Sequence, residues 1–107
     1  MVLRDRIVQL LPHVSKPIQY VGQEIHAVHK PWEDMRVRVG LCFPDAYEVG
    51  MSHLGLHLLY NILNAKSNVV AERFYAPFPD MEALMRGREI PLFSLESHRA
   101  AAEFDIL

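Results

Sequence analysis

The sequence has a single cysteine, Cys42, among its 107 residues, so it holds no internal disulfide and no cysteine-only zinc or iron–sulfur site of its own. Basic residues are not in excess: 11 Lys and Arg stand against 13 Asp and Glu, a net charge of -2. The closest basic pairs, Arg4 with Arg6, Arg36 with Arg38 and Arg86 with Arg88, are scattered, which excludes the broad electrostatic footprint of a nucleic-acid binder. No apolar run approaches the roughly 18 residues of a membrane span. Arg4, Asp5 and Arg6 interrupt the apolar core that a signal peptide needs. Neither G-x-G-x-x-G nor G-x-x-x-x-G-K-[ST] occurs, which argues against a nucleotide-dependent dehydrogenase or a P-loop enzyme. These absences leave the expectation of a cytoplasmic, globular chain of single-domain length, with no nucleic-acid or membrane partner.

Half of the residues are apolar, and their spacing sets out an order of elements. Leu3, Ile7, Leu10, Leu11 and Val14 recur at three- and four-residue intervals, the face of a short amphipathic helix stopped near Pro12 and Pro17. Residues 20–29 are irregular, anchored by Ile25 and Val28, and residues 30–34 form a turn. The run 36–43 begins as alternation and ends almost continuously apolar, as a parallel strand does when its far end is buried on both faces. Residues 44–51 are a loop, and Ser52 is placed to cap the helix that follows. Leu54, Leu58, Leu59, Ile62 and Leu63 make that helix's apolar stripe. Residues 69–75 are β-branched and aromatic, a second strand. After Pro77 and Pro79, Asp80 caps a short helix carrying Met81, Leu84 and Met85, closed by Gly87. Leu92 to Leu95 reads as a third strand, and Phe104 onward opens a fourth.

Strands alternating with helices over short connections specify an α/β fold with a parallel sheet. The expected organisation is an incomplete Rossmann-like or flavodoxin-like domain over residues 35–107, preceded by a helix and an irregular arm over residues 1–34. The sequence stops inside the fourth strand, so the sheet is expected to be truncated, and its unpaired edge invites instability or self-association.

In such sheets ligands sit outside the C-terminal ends of the strands, where the loops 44–51, 76–80 and 96–97 would converge. The first loop offers two carboxylates, a phenol, a hydroxyl and an imidazole in Asp45, Glu48, Tyr47, Ser52 and His53. Gly50 permits a ligand's close approach, and the helix starting near Ser52 presents free N–H groups to an anion. Together with Met51, and with Ser94 and Glu96 after the third strand, these residues form the candidate ligand edge. Spacing alone also admits a turn glycine, a plain helix cap and solvated loop charges. His53 and His57 stand four apart on one helix, a spacing that can chelate a metal. Leu54, Gly55 and Leu56 between them do not match H-E-x-x-H, so a helix-surface pair is expected and no metal site is assigned. Cys42 has no base or electropositive neighbour in sequence and is expected in the core. No catalytic residue is assigned.

The stretch Pro44-Asp45-Ala46-Tyr47-Glu48-Val49-Gly50-Met51-Ser52-His53-Leu54-Gly55-Leu56, followed by Leu59-Tyr60 and Ile62-Leu63-Asn64, resembles the N-terminal region of a family of bacterial radical-SAM proteins. The likeness runs on through Ala71-Glu72-Arg73, Ala76-Pro77, Pro79-Asp80-Met81-Glu82 and Pro91-Leu92-Phe93-Ser94-Leu95-Glu96-Ser97, with Lys16-Pro17, Tyr20 and Gly22 upstream. The resemblance implies a Rossmann-like domain similar to cobalamin-binding domains, placed ahead of a radical-SAM barrel. That barrel would carry C-x-x-x-C-x-x-C to hold a 4Fe–4S cluster that cleaves S-adenosylmethionine, and this sequence lacks the motif. The chain is then the front part of a longer enzyme, non-catalytic on its own, with the barrel as its partner.

Cobalamin domains that supply a lower axial ligand use D-x-H-x-x-G, but Tyr47 stands two residues after Asp45, and Gly55 follows His53 by two positions instead of three. Cobalamin would therefore bind with no protein histidine on cobalt, or the domain has kept the fold and lost the cofactor. The ligand-edge residues accordingly hold a cofactor tail or dock on the barrel. The competing reading is an α/β interaction module with no small-molecule ligand.

Overall fold

The computed structural model describes residues 3–22, 24 and 26–107. Ile25, one of the two anchors expected in the arm, lies outside them. Strand β1 (Val37–Phe43) pairs in parallel with β2 (Val69–Tyr75), in a register running from Val37 opposite Val69 to Phe43 opposite Tyr75. Between them come two helices, α2 (Tyr47–Met51) and α3 (Leu54–Asn64). Helix α1 (Leu3–Val8) precedes the sheet and α4 (Pro79–Gly87) follows β2. The fold is a small α/β unit with helices around a two-stranded parallel sheet.

Alternation along the strands sorts the core. Val37, Val39 and Leu41 of β1 and Val69 and Ala71 of β2 pack against Tyr60 and Leu63 of α3. Leu56 joins Tyr75, Leu95, Phe43 and Met51 nearer the strands' C-terminal ends. On the opposite face Phe74 meets Phe104 edge-on at 5.0 Å, and Phe104 meets Trp32 at 4.9 Å. Gly40 makes this approach possible, because a Cβ there would sit 2.8 Å from the Phe74 ring and 2.5 Å from Leu107 Cδ2.

The first amphipathic segment keeps its apolar face but not its length. Pro12 lacks an N–H to bond back with, so the α-turns end at Val8 and a 3-10 turn, Leu11–His13, continues. Ile7 and Leu10 remain buried with Tyr20, Met81, Met85, Ile90 and Phe93, so the first residues of the chain and α4 share a core. Helix α4 forms as expected around Met81 and Met85, with Phe78 rather than Asp80 at the N-cap position. Asp80 instead accepts from the Met81 N–H at 2.7 Å and from the N–H and hydroxyl of Ser15.

The expected loop 44–51 is corrected, since residues 47–51 of it form α2, and four further expectations are corrected. The residues named as the core stripe of α3 include its outer face: Leu54, Leu58, Leu59 and Ile62 are 72%, 53%, 52% and 60% exposed, while Leu56 and Tyr60 are buried. The leucines and isoleucine of α3 satisfy more than one stripe, and the sheet took the side with Tyr60. Ser52 does not cap α3. It closes α2, its hydroxyl donating to the Glu48 carbonyl, and the cap is His53, whose Nδ1 accepts from the Leu56 N–H at 3.0 Å. Cys42 is exposed rather than in the core, so the far end of β1 is not buried on both faces.

The third strand is the fourth correction: Leu92 to Leu95 contributes one antiparallel bridge, Phe93 to Ala100. The outward edge of β2 is already taken. Asn64 brackets Ala71, its amide bonding both the N–H and the carbonyl at 3.0 Å. The Arg73 N–H donates to Glu96 Oε1, its carbonyl accepts from the Leu95 N–H, and Lys30 Nζ donates to the Val69 carbonyl. Side chains stand where a neighbouring strand's backbone would. On the other side of β1, the expected fourth strand is present as a parallel bridge between Val39 and Ile106, with the Gly40 N–H donating to the Ile106 carbonyl at 2.8 Å.

Candidate functional site

Adjacent residues of β2 point to opposite faces of the sheet, so the charged pair Glu72 and Arg73 is divided. Glu72 turns to one side, where Oε1 accepts from the hydroxyls of Ser94 at 2.7 Å and Ser97 at 2.6 Å. Arg73 turns toward α3. Its Nε lies 2.7 Å from Glu96 Oε2 and its Nη2 2.9 Å from Glu24 Oε2, with side-chain exposures of 4% for Arg73 and 0% for Glu96. Tyr60 donates to Glu96 Oε2 at 2.7 Å and Tyr47 to Glu24 Oε1 at 2.6 Å. The Val28 N–H donates to the Tyr60 oxygen, and Arg73 Nη1 approaches Met51 Sδ at 3.1 Å. A polar chain Tyr47–Glu24–Arg73–Glu96–Tyr60 thus ties α2, the arm, β2, the residue after the expected third strand, and α3 into one cluster.

Beside it opens a cleft of about 480 Å³, lined by Glu24, His26, Met51, His57, Tyr60 and Arg73 among others. That volume suits a small molecule. Within the cluster itself, burial and charge pairing set the titration of each group. Burial, then the Glu96 charge, push the Tyr60 phenol above its ordinary value; burial and Glu24 do the same to Tyr47. Burial disfavours the Arg73 charge, but Glu96 and Glu24 outweigh it and raise the guanidinium further. Burial pushes Glu24 up, yet the bonds from Tyr47 and Arg73 together hold it below its usual value. Complete burial raises the Glu96 carboxyl in spite of Arg73.

The residues expected at the ligand edge divide into those in this cluster and those elsewhere. Tyr47, Met51 and Glu96 meet at Arg73. Gly50 is buried against Tyr75, where a Cβ would come within 2.2 Å of the ring. Asp45 accepts the Ala46 N–H, and its carbonyl accepts the Ala76 N–H at 2.8 Å, tying the ends of the two strands together. Glu48 pairs with Lys16 at the surface, and Ser52 and His53 serve the helix ends. Ser94 lies on the opposite face with Glu72. The pair His53 and His57 is likewise engaged with backbone, His57 Nε2 bonding the Met51 carbonyl. Among the described residues no three His, Cys, Asp or Glu side chains converge to hold a metal.

Sequence reasoning missed Glu24, Tyr60 and Arg73 as site residues. The signal for Arg73 was present: a charged pair inside an otherwise apolar and aromatic strand must find buried partners. Glu24, from an irregular arm, carried no such signal.

Among the described residues no helix is long and apolar enough to cross a membrane. No curated protein and no solved structure matches the chain. Residues 55–107, which hold nearly all of α3 together with β2 and α4, match the family of radical SAM proteins in its N-terminal region.

Proposed function

We propose that this chain is a non-catalytic domain that packs against the radical SAM domain of the same polypeptide through the outer face of α3. The observation that carries this reading is the exposed apolar outer face of that helix. Leu56, Tyr60 and Leu63 face the sheet, while Leu54, Leu58, Leu59 and Ile62 face outward, joined by the exposed Val49 of α2. An exposed apolar patch of this kind marks an interaction surface. The family match supports a radical SAM domain as the partner, since its description is of an N-terminal region. The saturated Arg73 cluster supports a binding or structural role over a catalytic one. A 4Fe–4S cluster and S-adenosylmethionine would belong to the partner domain.

A cobalamin-type cofactor draws on the sequence resemblance alone, and the residues present do not fit it. The cavity at the C-terminal end of β2, lined by Tyr47, Tyr75, Pro77 and Phe93 among others, measures about 10 Å³, room for a single water. The polar side chains after β1 are already engaged: Asp45, Ser52 and His53 with backbone, Tyr47 with Glu24 and Glu48 with Lys16. The docking reading requires no cobalamin.

Amide hydrogen exchange tests it, comparing the chain alone with the chain joined to its radical SAM domain. Protection across residues 54–62 should rise on joining, and Leu58→Glu with Ile62→Glu should remove the gain. Equal exchange in both forms refutes the reading.

A further inference from the structure

Away from that surface, two arginines from opposite ends of the sequence, Arg4 and Arg99, line one cleft of about 430 Å³ together with His98 and Ser97. Arg4 Nε donates to His98 Nδ1 at 3.2 Å and its Nη2 to the Glu96 carbonyl at 3.0 Å. Both acceptors are uncharged, so these bonds orient the guanidinium without neutralising it. Arg99 is held by other means. It lies over the Trp32 ring, 4.4 Å from the centroid, and Nη1 reaches Glu103 Oε1 at 3.2 Å in a partly exposed pair. Its Nε–H is buried and meets no acceptor among the described residues, so the part of the guanidinium that faces the cleft is its Nη end.

The groups that oppose an anion here are Glu103 at the rim and Glu72, which lies behind Ser97 and accepts its hydroxyl. His98 adds no charge: Nδ1 accepts from Arg4 and Nε2 donates to the Tyr20 carbonyl at 2.8 Å, so the ring is neutral. With one carboxylate at the rim, a singly charged carboxylate gains little from the cleft. A dianion that offers several oxygens to two planar forks gains more.

We propose that this cleft binds the phosphate group of a small molecule, with Arg4 and Arg99 taking its oxygens. The test is titration of the chain with inorganic phosphate, against chloride at equal ionic strength, read by the fluorescence of Trp32. This is the only tryptophan of the chain, and Arg99 covers its ring. A saturable change is expected, weakened about tenfold by Arg4→Gln and by Arg99→Gln, as loss of a charge-assisted bond implies. Arg4→Lys, which keeps the charge and loses the fork, should fall between. Arg86→Gln, on α4 and paired with Glu82, should bind as the parent does. Circular dichroism shows that each variant is folded, and Arg4→Lys decides the matter should either glutamine variant unfold. Absence of a saturable phosphate response, or equal affinity in folded Arg4 and Arg99 variants, overturns the proposal.

Discussion

Replacing Arg73 by alanine should be among the most damaging single changes to this fold. The guanidinium is the sole cation bonded to Glu96 among the described residues, and Glu96 has no exposed side-chain surface. Removing Arg73 leaves Glu96 with the Tyr60 hydroxyl and one backbone N–H, both neutral donors. Glu24 is one-fifth exposed and can rehydrate, so the stranded charge that matters is Glu96. Breaking a buried ion pair by deleting one partner costs about 3–5 kcal/mol. Against a typical total stability of about 5–15 kcal/mol, that is roughly a fifth or more of what holds the domain.

Urea unfolding followed by circular dichroism measures the loss as a shift of the midpoint at constant slope. The penalty should also depend on pH. Without the Arg73 charge, burial acts on Glu96 against only two neutral donors, the Tyr60 hydroxyl and the residue-73 backbone N–H, and raises its carboxyl further above the unfolded value. The folded state then binds more protons than the unfolded one, so the variant gains stability as pH falls from 7 toward about 5. Replacing both partners, Arg73→Met with Glu96→Leu, should recover most of the loss, because no charge is stranded. A loss below about 1 kcal/mol for Arg73→Ala, or one indifferent to pH, would refute this account of the cluster.

Three further outcomes are expected. Burial lowers the His98 pKa, so the unfolded state binds the extra proton. Stability contributed by neutral His98 is complete above about pH 6.5 and is lost as pH falls below it. His98→Asn, which tolerates the residue's positive φ of 56°, should flatten the thermal midpoint between pH 7 and 5.5, and an unchanged slope refutes the assignment. Gly22→Ala should destabilise the fold strongly in a thermal melt, since φ is 63° and the new Cβ would stand 2.1 Å from the Leu95 carbonyl oxygen. Leu58→Glu on the chain alone should leave the melt within about 0.5 kcal/mol of the parent, as befits an exposed site, and a larger loss would place that face in a core.

Alternation and β-branched content located β2 to the residue and β1 to within one, because a strand pressed on both sides leaves little freedom in composition. Helix α4 was legible for the same reason: Met81 and Met85 are its buried residues and Pro79 its start. The side of α3 that meets the sheet was not legible. Its leucines satisfy two faces equally, and only Tyr60, through its bond to Glu96, breaks the tie. The third strand failed because hydropathy cannot see that Asn64 and Glu96 supply the hydrogen bonds a strand would have made. The site was half legible for a related reason. After β1, Asp45, Ser52 and His53 are consumed by nearby backbone groups, whereas the cluster at Arg73 is assembled from residues far apart in sequence.

The side chains along the outer edge of β2 carry one more consequence, for growth of the sheet. Lys30, Asn64 and Glu96 occupy the outward-facing backbone groups of Val69, Ala71 and Arg73, so a foreign strand arriving there finds no open ladder to copy. On the other side Asp105 and Ile106 take only the Arg38 backbone groups and the Gly40 N–H of β1, and both Ile106 and Leu107 remain largely exposed. The sheet is therefore a template with a single active margin. Strand addition, whether by the chain's own sequence, by a second copy or in aggregation, must enter beside β1, and it must enter parallel to it if it follows the direction that Ile106 already sets.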